Sequence, residues 1–298
     1  MKTMIWLLRR EFWEHRAIII APLITAAVIL VGALTQTLIQ PAQDPTNSPE
    51  KLASVASLFI VCFALPFFIV NGFVALFYLM DSLYGERKDR SVLFWRSLPV
   101  SDTAAVSAKL ITALVVAPCL AALTAAATMP LITLVFKIYF AGQHFSALPV
   151  MWNPPQFIDA IVLWFYAAAV GVFWFFPVCA WFLAVSAWAP KNPFLWGLVP
   201  PAALFVVEKL LRGGRSWVGE QIFDRIDGWL PLAFNVHLTS SGAKAVDSGD
   251  KHFTMPAHLF DWIDPRPLLT SPGLWIGIAI GLLLAFIAVQ GRRYRTEA

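Results

Sequence analysis

The chain has 298 residues, of which 59% are hydrophobic and 13% charged, and its mean hydropathy is +0.70. A soluble domain is about a quarter charged and about half apolar. One water-facing core cannot absorb this apolar excess, so disorder, a secreted disulfide scaffold and a soluble nucleic-acid binder are excluded, and a polytopic membrane protein remains. The net charge of +4 and pI near 9.1 come from cations at the ends of apolar runs, where a membrane requires them.

Residues 1–16 place Ile5, Leu8 and Phe12 at helical spacing, flanked by Trp6 and Trp13 and interleaved with Arg9, Arg10 and Arg16. This pattern predicts a helix lying in the membrane interface, with Arg10 and Glu14 paired at i, i+4. The segment is long and carries Glu11 and Glu14, unlike a signal peptide, so the first span is expected to stay in the membrane. Apolar stretches near the ~20 residues that a spanning helix needs run over Ala17–Ile39, Leu58–Met80, Leu110–Phe136, Ile161–Ala189 and Pro272–Gln290. A shorter one, Phe194–Val207, makes a sixth when Leu210 and Leu211 extend it past Glu208 and Lys209.

Lys2, Arg9, Arg10 and Arg16 precede span 1, and Arg87, Lys88, Arg90 and Arg96 follow span 2. Lys191 follows span 4, and Arg292, Arg293 and Arg295 follow span 6, so both termini are expected in the cytoplasm. Residues 212–271 then lie outside, as short amphipathic helices around a polar loop at Ser240–Asp250. The expected fold is all-α: one transmembrane domain over residues 1–298, with an interfacial helix at 1–16, six spans, a cytoplasmic segment at 81–102 and an extracytoplasmic segment at 212–271.

No phosphate-binding loop is present, since Gly213-Gly214-Arg215-Ser216 lacks both the spacing and the lysine. The chain is therefore expected not to be an enzyme or to bind a cofactor itself. His252, His258, Asp261 and Asp264 fit no metal-ligand spacing, and Cys62, Cys119 and Cys179 read as small packing residues. The spans are nearly free of ionisable side chains, which form the ion path in ion-coupled carriers; uphill transport would draw its energy from another polypeptide. Gly273, Gly277 and Gly281, continued by Ala285, and Ala113, Ala117, Ala121 and Ala125 form small-residue stripes. These suit close helix packing within one subunit, with a seam between subunits as the alternative. Pro66, Pro118, Pro130, Pro177 and Pro200-Pro201 interrupt spans and can kink them.

The connection after span 2 runs from Asp81 to Asp102. Ser91–Leu98 can form a short helix bearing Val92, Leu93, Trp95 and Leu98, broken by Pro99, with Ser101 as the N-cap of span 3. A solvated linker does not need these apolar side chains together; such a helix lies on the membrane or docks into a partner.

At this stretch the sequence resembles the permease subunits of ABC-2 type transporters. Glu86-Arg87 match the family's acidic-basic pair, Ser91-Val92-Leu93 the start of its short cytoplasmic helix, and Leu98-Pro99-Val100-Ser101 its turn into span 3. Lys109-Leu110 match the basic-apolar step of span 3, while Arg90 stands where the family commonly has glycine. The resemblance extends to the whole topology, although the outer segment is longer than is typical. It implies a half-transporter in the bacterial cytoplasmic (inner) membrane. This chain would pair with a second permease subunit, as homo- or heterodimer, and with a separate ATP-binding cassette ATPase that holds ATP and Mg. Glu86, Arg87, Ser91, Val92, Leu93, Trp95 and Leu98 would couple to that ATPase. Export of a lipid-like, amphipathic or peptide substrate by alternating access would follow. Two other readings remain, an ion-coupled secondary transporter and a non-transporting assembly or signalling component.

Overall fold

The computed structural model describes residues 2–39, 59–91, 100–139, 154–213, 216–234 and 263–294. The chain is an all-α polytopic membrane protein with six helical segments long and apolar enough to span a bilayer. The interfacial segment forms α1 (Lys2–Glu14), which meets α2 (Ala17–Ile39) at a bend around His15 and Arg16. The second span ends in α3 (Leu65–Lys88). The third comprises α4 (Asp102–Ile111), one wide turn over Thr112–Val116, and α5 (Ala117–Tyr139).

The wide turn has a local cause. Pro118 has no N–H to give Leu114 and its ring crowds that carbonyl, so the ladder loosens just before it and Ala117 N–H reaches back to Thr112 O. Ser101 caps α4 as its sequence position predicts, its Oγ accepting from Ala104 N–H at 3.2 Å.

Two expectations are corrected. Ile161–Ala189 is not one helix: α6 (Pro154–Trp174) stops at Phe175 and α7 (Phe176–Trp188) restarts with Pro177 in its first turn. Proline is tolerated there because a first-turn N–H needs no intrahelical acceptor, whereas inside a continuous helix it would orphan the Phe173 carbonyl. In addition, spans 2, 3 and 6 do not stop where their charges begin. Their helices continue to Lys88, start at Asp102, and end at Tyr294 in α12 (Pro272–Tyr294), carrying charged residues on the same rods as the apolar ones.

Span 5 is α8 (Pro193–Leu211), with only Pro193 and Gly197 buried; its apolar side chains face outward from the bundle. After it come α9 (Trp217–Asp227), α10 (Trp229–Ala233) and α11 (Arg266–Thr270), the short helices expected in 212–271. Glu208 ties α9 to the end of α8, accepting from Val218 N–H at 2.8 Å and Ser216 Oγ at 3.1 Å. Phe234 and Ile263 pair in an isolated antiparallel bridge. The predicted loop at Ser240–Asp250 lies outside the described residues.

Among the described residues, three apolar clusters hold the bundle. One joins α2, α3, span 3, α7 and α12 through Ile18, Leu79, Leu83, Val106, Leu183 and Ala288. A second packs Ile60, Phe63 and Phe67 against Ala121, Ala125 and Trp164, and the third gathers Trp174, Ala233, Phe234 and Leu274. Ala113, Ala117, Ala121 and Ala125 are all buried in the first two, so that stripe packs within the chain.

The glycine stripe of α12 is filled in the same way. A side chain at Gly281 would collide with Phe176, one at Gly291 with Trp188, and one at Gly277 with the guanidinium of Arg225. Arg225 also donates to Gly273 O at 3.2 Å and lies over the Trp174 ring at 4.5 Å. Gly277 and Gly281 thus receive side chains of this chain. Gly273 has open space beside it.

Candidate functional site

Four helices bring charged side chains to one end of the bundle, each through its own periodicity. Leu7 and Glu11 share the buried face of α1, one turn apart, with Arg10 beside them. On α3 the buried stripe is Tyr78, Ser82 and Glu86, spaced by four. On α4, Asp102 and Lys109 are two turns apart, and on α12 Arg292 follows the buried Ala288 by one turn.

Lys109 is the centre. Its ammonium, fully enclosed, lies 3.1 and 3.3 Å from the two Glu11 oxygens and 3.2 Å from Glu86 Oε1. Arg10 bridges the same carboxylates, 2.7 Å from Glu11 and 2.8 Å from Glu86. Tyr78 donates its hydroxyl to Glu11 Oε2 at 2.8 Å. Arg292 contacts Glu86 Oε2 at 3.3 Å and pairs with Asp102. The carboxylates Glu11, Glu86 and Asp102 are thus balanced by Arg10, Lys109 and Arg292. Contact between residues 10, 86, 102, 109 and 292 brings the first and last helices to the same end of the bundle.

The balance of charge sets the protonation states. Burial alone would raise the Glu11 carboxyl, but Lys109 and Arg10 outweigh it and hold its pKa below the ordinary 4.5. Burial would likewise lower Arg10, yet Glu11, Glu14 and Glu86 carry it above its ordinary value. His15 stacks edge-on against Tyr78 at 4.7 Å, and burial pushes its pKa below 6.5, leaving the ring neutral at pH 7. Glu14, at the rim, pairs with Arg10 Nε at 3.4 Å as the i, i+4 spacing predicts, and burial raises its pKa.

Glu11, Glu14 and His15 bring ligand atoms within 4.8 Å of one another. Both Glu11 oxygens already accept from Lys109, and the Tyr78 hydroxyl takes one of them as well. A metal ion there would have to displace an enclosed ammonium, so the donor set suits an ion pair and not a metal.

Of the residues the sequence assigns to ATPase coupling, Glu86 and Arg87 are buried and point to opposite sides of α3. Glu86 enters the cluster, while Arg87 donates to Ser186 O at 2.9 Å and Ala189 O at 2.8 Å, satisfying carbonyls at the end of α7. Ser186 in turn accepts from Leu83 and Tyr84 N–H at 3.1 and 3.0 Å. Ser91 donates to Glu86 O at 3.3 Å. Arg90 adopts the left-handed conformation, φ +55°, that glycine adopts without strain. Val92, Leu93, Trp95 and Leu98 lie outside the described residues.

Sequence reasoning missed the cluster itself. Lys109 at the head of a long apolar run and Glu86 at the foot of another are its signals in the sequence, beside the Arg10–Glu14 spacing.

Comparison with protein-family models, with curated proteins and with solved structures finds no match to the chain.

Proposed function

We propose that the chain is the membrane-spanning permease subunit of an ATP-driven exporter of ABC-2 type. In this reading the end bearing α1 and the ionic cluster faces the cytoplasm of a bacterial inner membrane. Two permease subunits pair, and a separate ATPase, carrying ATP and Mg, docks on the segment that follows Glu86.

The observation that carries the reading is the cluster. Glu86 is the root of the 86–98 segment, and its carboxylate is bonded to α1 through Arg10, to span 3 through Lys109 and to span 6 through Arg292. A push delivered to this segment reaches three other helices through charge pairs, which exchange partners discretely instead of deforming smoothly. The left-handed Arg90 adds support, because glycine is common at that place in the family the sequence resembles and this backbone conformation is glycine's own. Ionisable side chains on the spanning helices stand near helix ends, in this cluster or, for Lys137, Asp159, Glu208 and Lys209, near the ends away from it, which suits a transporter powered from outside the bilayer better than one with its own ion path. The mostly apolar spans suit a lipid-like, amphipathic or peptide substrate.

Leu93→Asp and Trp95→Asp test the docking role. Each variant inserts normally and loses stimulation of the partner ATPase. Unchanged stimulation contradicts the role, and transport that persists without ATP but collapses with the proton gradient makes the chain an ion-coupled carrier instead.

A further inference from the structure

The cluster fixes α1 in rotation, and the face turned away from the bundle carries an ordered pattern of its own. Trp6, Arg9 and Trp13 recur at intervals of three and four, and Arg16 follows three residues on. All four are exposed; Trp6, Arg9 and Trp13 lie on the side of α1 opposite Leu7 and Glu11, and Arg16 lies in the bend just beyond its end. The Arg9 guanidinium lies 5.5 Å from the Trp6 ring centroid and 4.9 Å from that of Trp13, held between two indoles. No carboxylate pairs with Arg9 or Arg16 among the described residues. Glu14, the exposed acid on this helix, is committed to Arg10.

The inward face of this helix carries Leu7 beside the ion-paired Arg10 and Glu11, while its outward face exposes about three-fifths of Ile5, Trp6 and Trp13 beside Arg9, with Arg16 just beyond. Bulk water is a poor environment for such a face. Indoles with cations between them suit the layer of lipid headgroups, where rings reach the acyl boundary and guanidinium groups meet phosphate. The position agrees: α1 joins span 1 through a single bend and packs on α4 at the end of the bundle that carries the ionic cluster.

We propose that Trp6, Arg9, Trp13 and Arg16 bind the phosphate groups of anionic phospholipids in the leaflet adjoining α1. Arg9 supplies a planar fork for phosphate that the flanking indoles preorganise, and Arg16 supplies the second charge. Because Arg10 and Glu11 on the same helix enter the ionic cluster, lipid bound on one face holds the charge pairs on the other. The inference goes beyond the transport reading and stands without it.

The test uses the full chain in dodecyl maltoside micelles titrated with brominated phosphatidylglycerol, reading quenching of tryptophan emission, with brominated phosphatidylcholine as control. Arg9→Gln/Arg16→Gln removes both charges from exposed positions and leaves the buried face intact. The double variant is expected to bind phosphatidylglycerol about tenfold or more weakly than the wild type, with phosphatidylcholine unchanged. Trp6→Phe/Trp13→Phe is expected to remove the part of the quenching that depends on Arg9 and Arg16, leaving the background from the rest of the chain's 13 tryptophans, and high salt to weaken wild-type binding as the double variant does. Phosphatidylglycerol binding by the double variant within twofold of wild type overturns the proposal. The same result with loss of a co-purifying protein assigns the face to a protein partner instead.

Discussion

Replacing Lys109 by Met removes the charge on which the cluster is centred while keeping the unbranched apolar stem. In the wild type the ammonium lies within 3.1–3.3 Å of Glu11 and Glu86 and has no access to water. At an effective dielectric constant near 20, each such pair is worth roughly 4–5 kcal/mol of attraction. Desolvation of the three groups cancels most of it while the cluster is whole. Removing the cation leaves that cost and withdraws its compensation, so two buried carboxylates face each other with only Arg10 and Arg292 beside them. The expected loss is about 3–5 kcal/mol, a fall of roughly 6–20 °C in Tm at about 2–4 °C per kcal/mol. Adding Glu11→Gln is expected to recover part of the loss, because the unpaired charge goes with it; the two changes should couple by about 1–3 kcal/mol. Unfolding in mixed dodecyl sulfate and dodecyl maltoside micelles, followed by tryptophan emission, measures both quantities. A Lys109→Met variant within about 1 kcal/mol of wild type, or strict additivity in the double variant, would refute the electrostatic account.

Three further outcomes are expected. Glu11 has a folded pKa below its ordinary 4.5, so its stabilisation is fully present above that value and is lost as pH falls through the folded one. The gap in Tm between wild type and Glu11→Gln should therefore be constant from neutral pH down to about 5.5 and close in more acid solution; a gap that widens on acidification contradicts the assignment. Asn71, buried in α3 between two apolar clusters, has an Oδ1 with no hydrogen-bond partner among the described residues, so Asn71→Leu should be neutral or stabilising by about 1–2 kcal/mol; a clear loss in Tm shows that the amide is satisfied. Arg90→Gly should relieve the left-handed backbone and stabilise by roughly 0.5–1 kcal/mol after the flexibility of glycine is discounted, with no change or a loss in Tm as the contrary result.

The spans were legible because burial in lipid writes itself as runs of ~20 apolar residues, and the charge-free stretches of the chain locate all six. What misled was treating charge as the end of a span. Glu86, Asp102 and Arg292 stay helical because a charged residue at the base of a bundle can pair with another helix as readily as with water. The break at Phe175 is foreshadowed by Pro177, but proline in a membrane helix more often bends than divides it, so the sequence predicts one span there.

The cluster was harder to read, for a physical reason. An ionic site assembled from four helices has no local spacing, and Arg10 and Arg292 stand 282 positions apart in the sequence. Each of its cations taken alone looks like a topological marker. Only the pairing of Arg10 with Glu14 was short-range enough to be visible.

The central claim is that this chain works with an ATPase on another polypeptide. Purification of the tagged protein from its native membrane in mild detergent, after crosslinking, followed by mass spectrometry of what accompanies it, tests that most directly. The account predicts an ATP-binding cassette subunit in roughly equal amount, lost in Leu93→Asp. A protein that emerges without a partner under crosslinking contradicts it and leaves the ionic cluster as the brace of an ion-coupled or purely structural membrane protein.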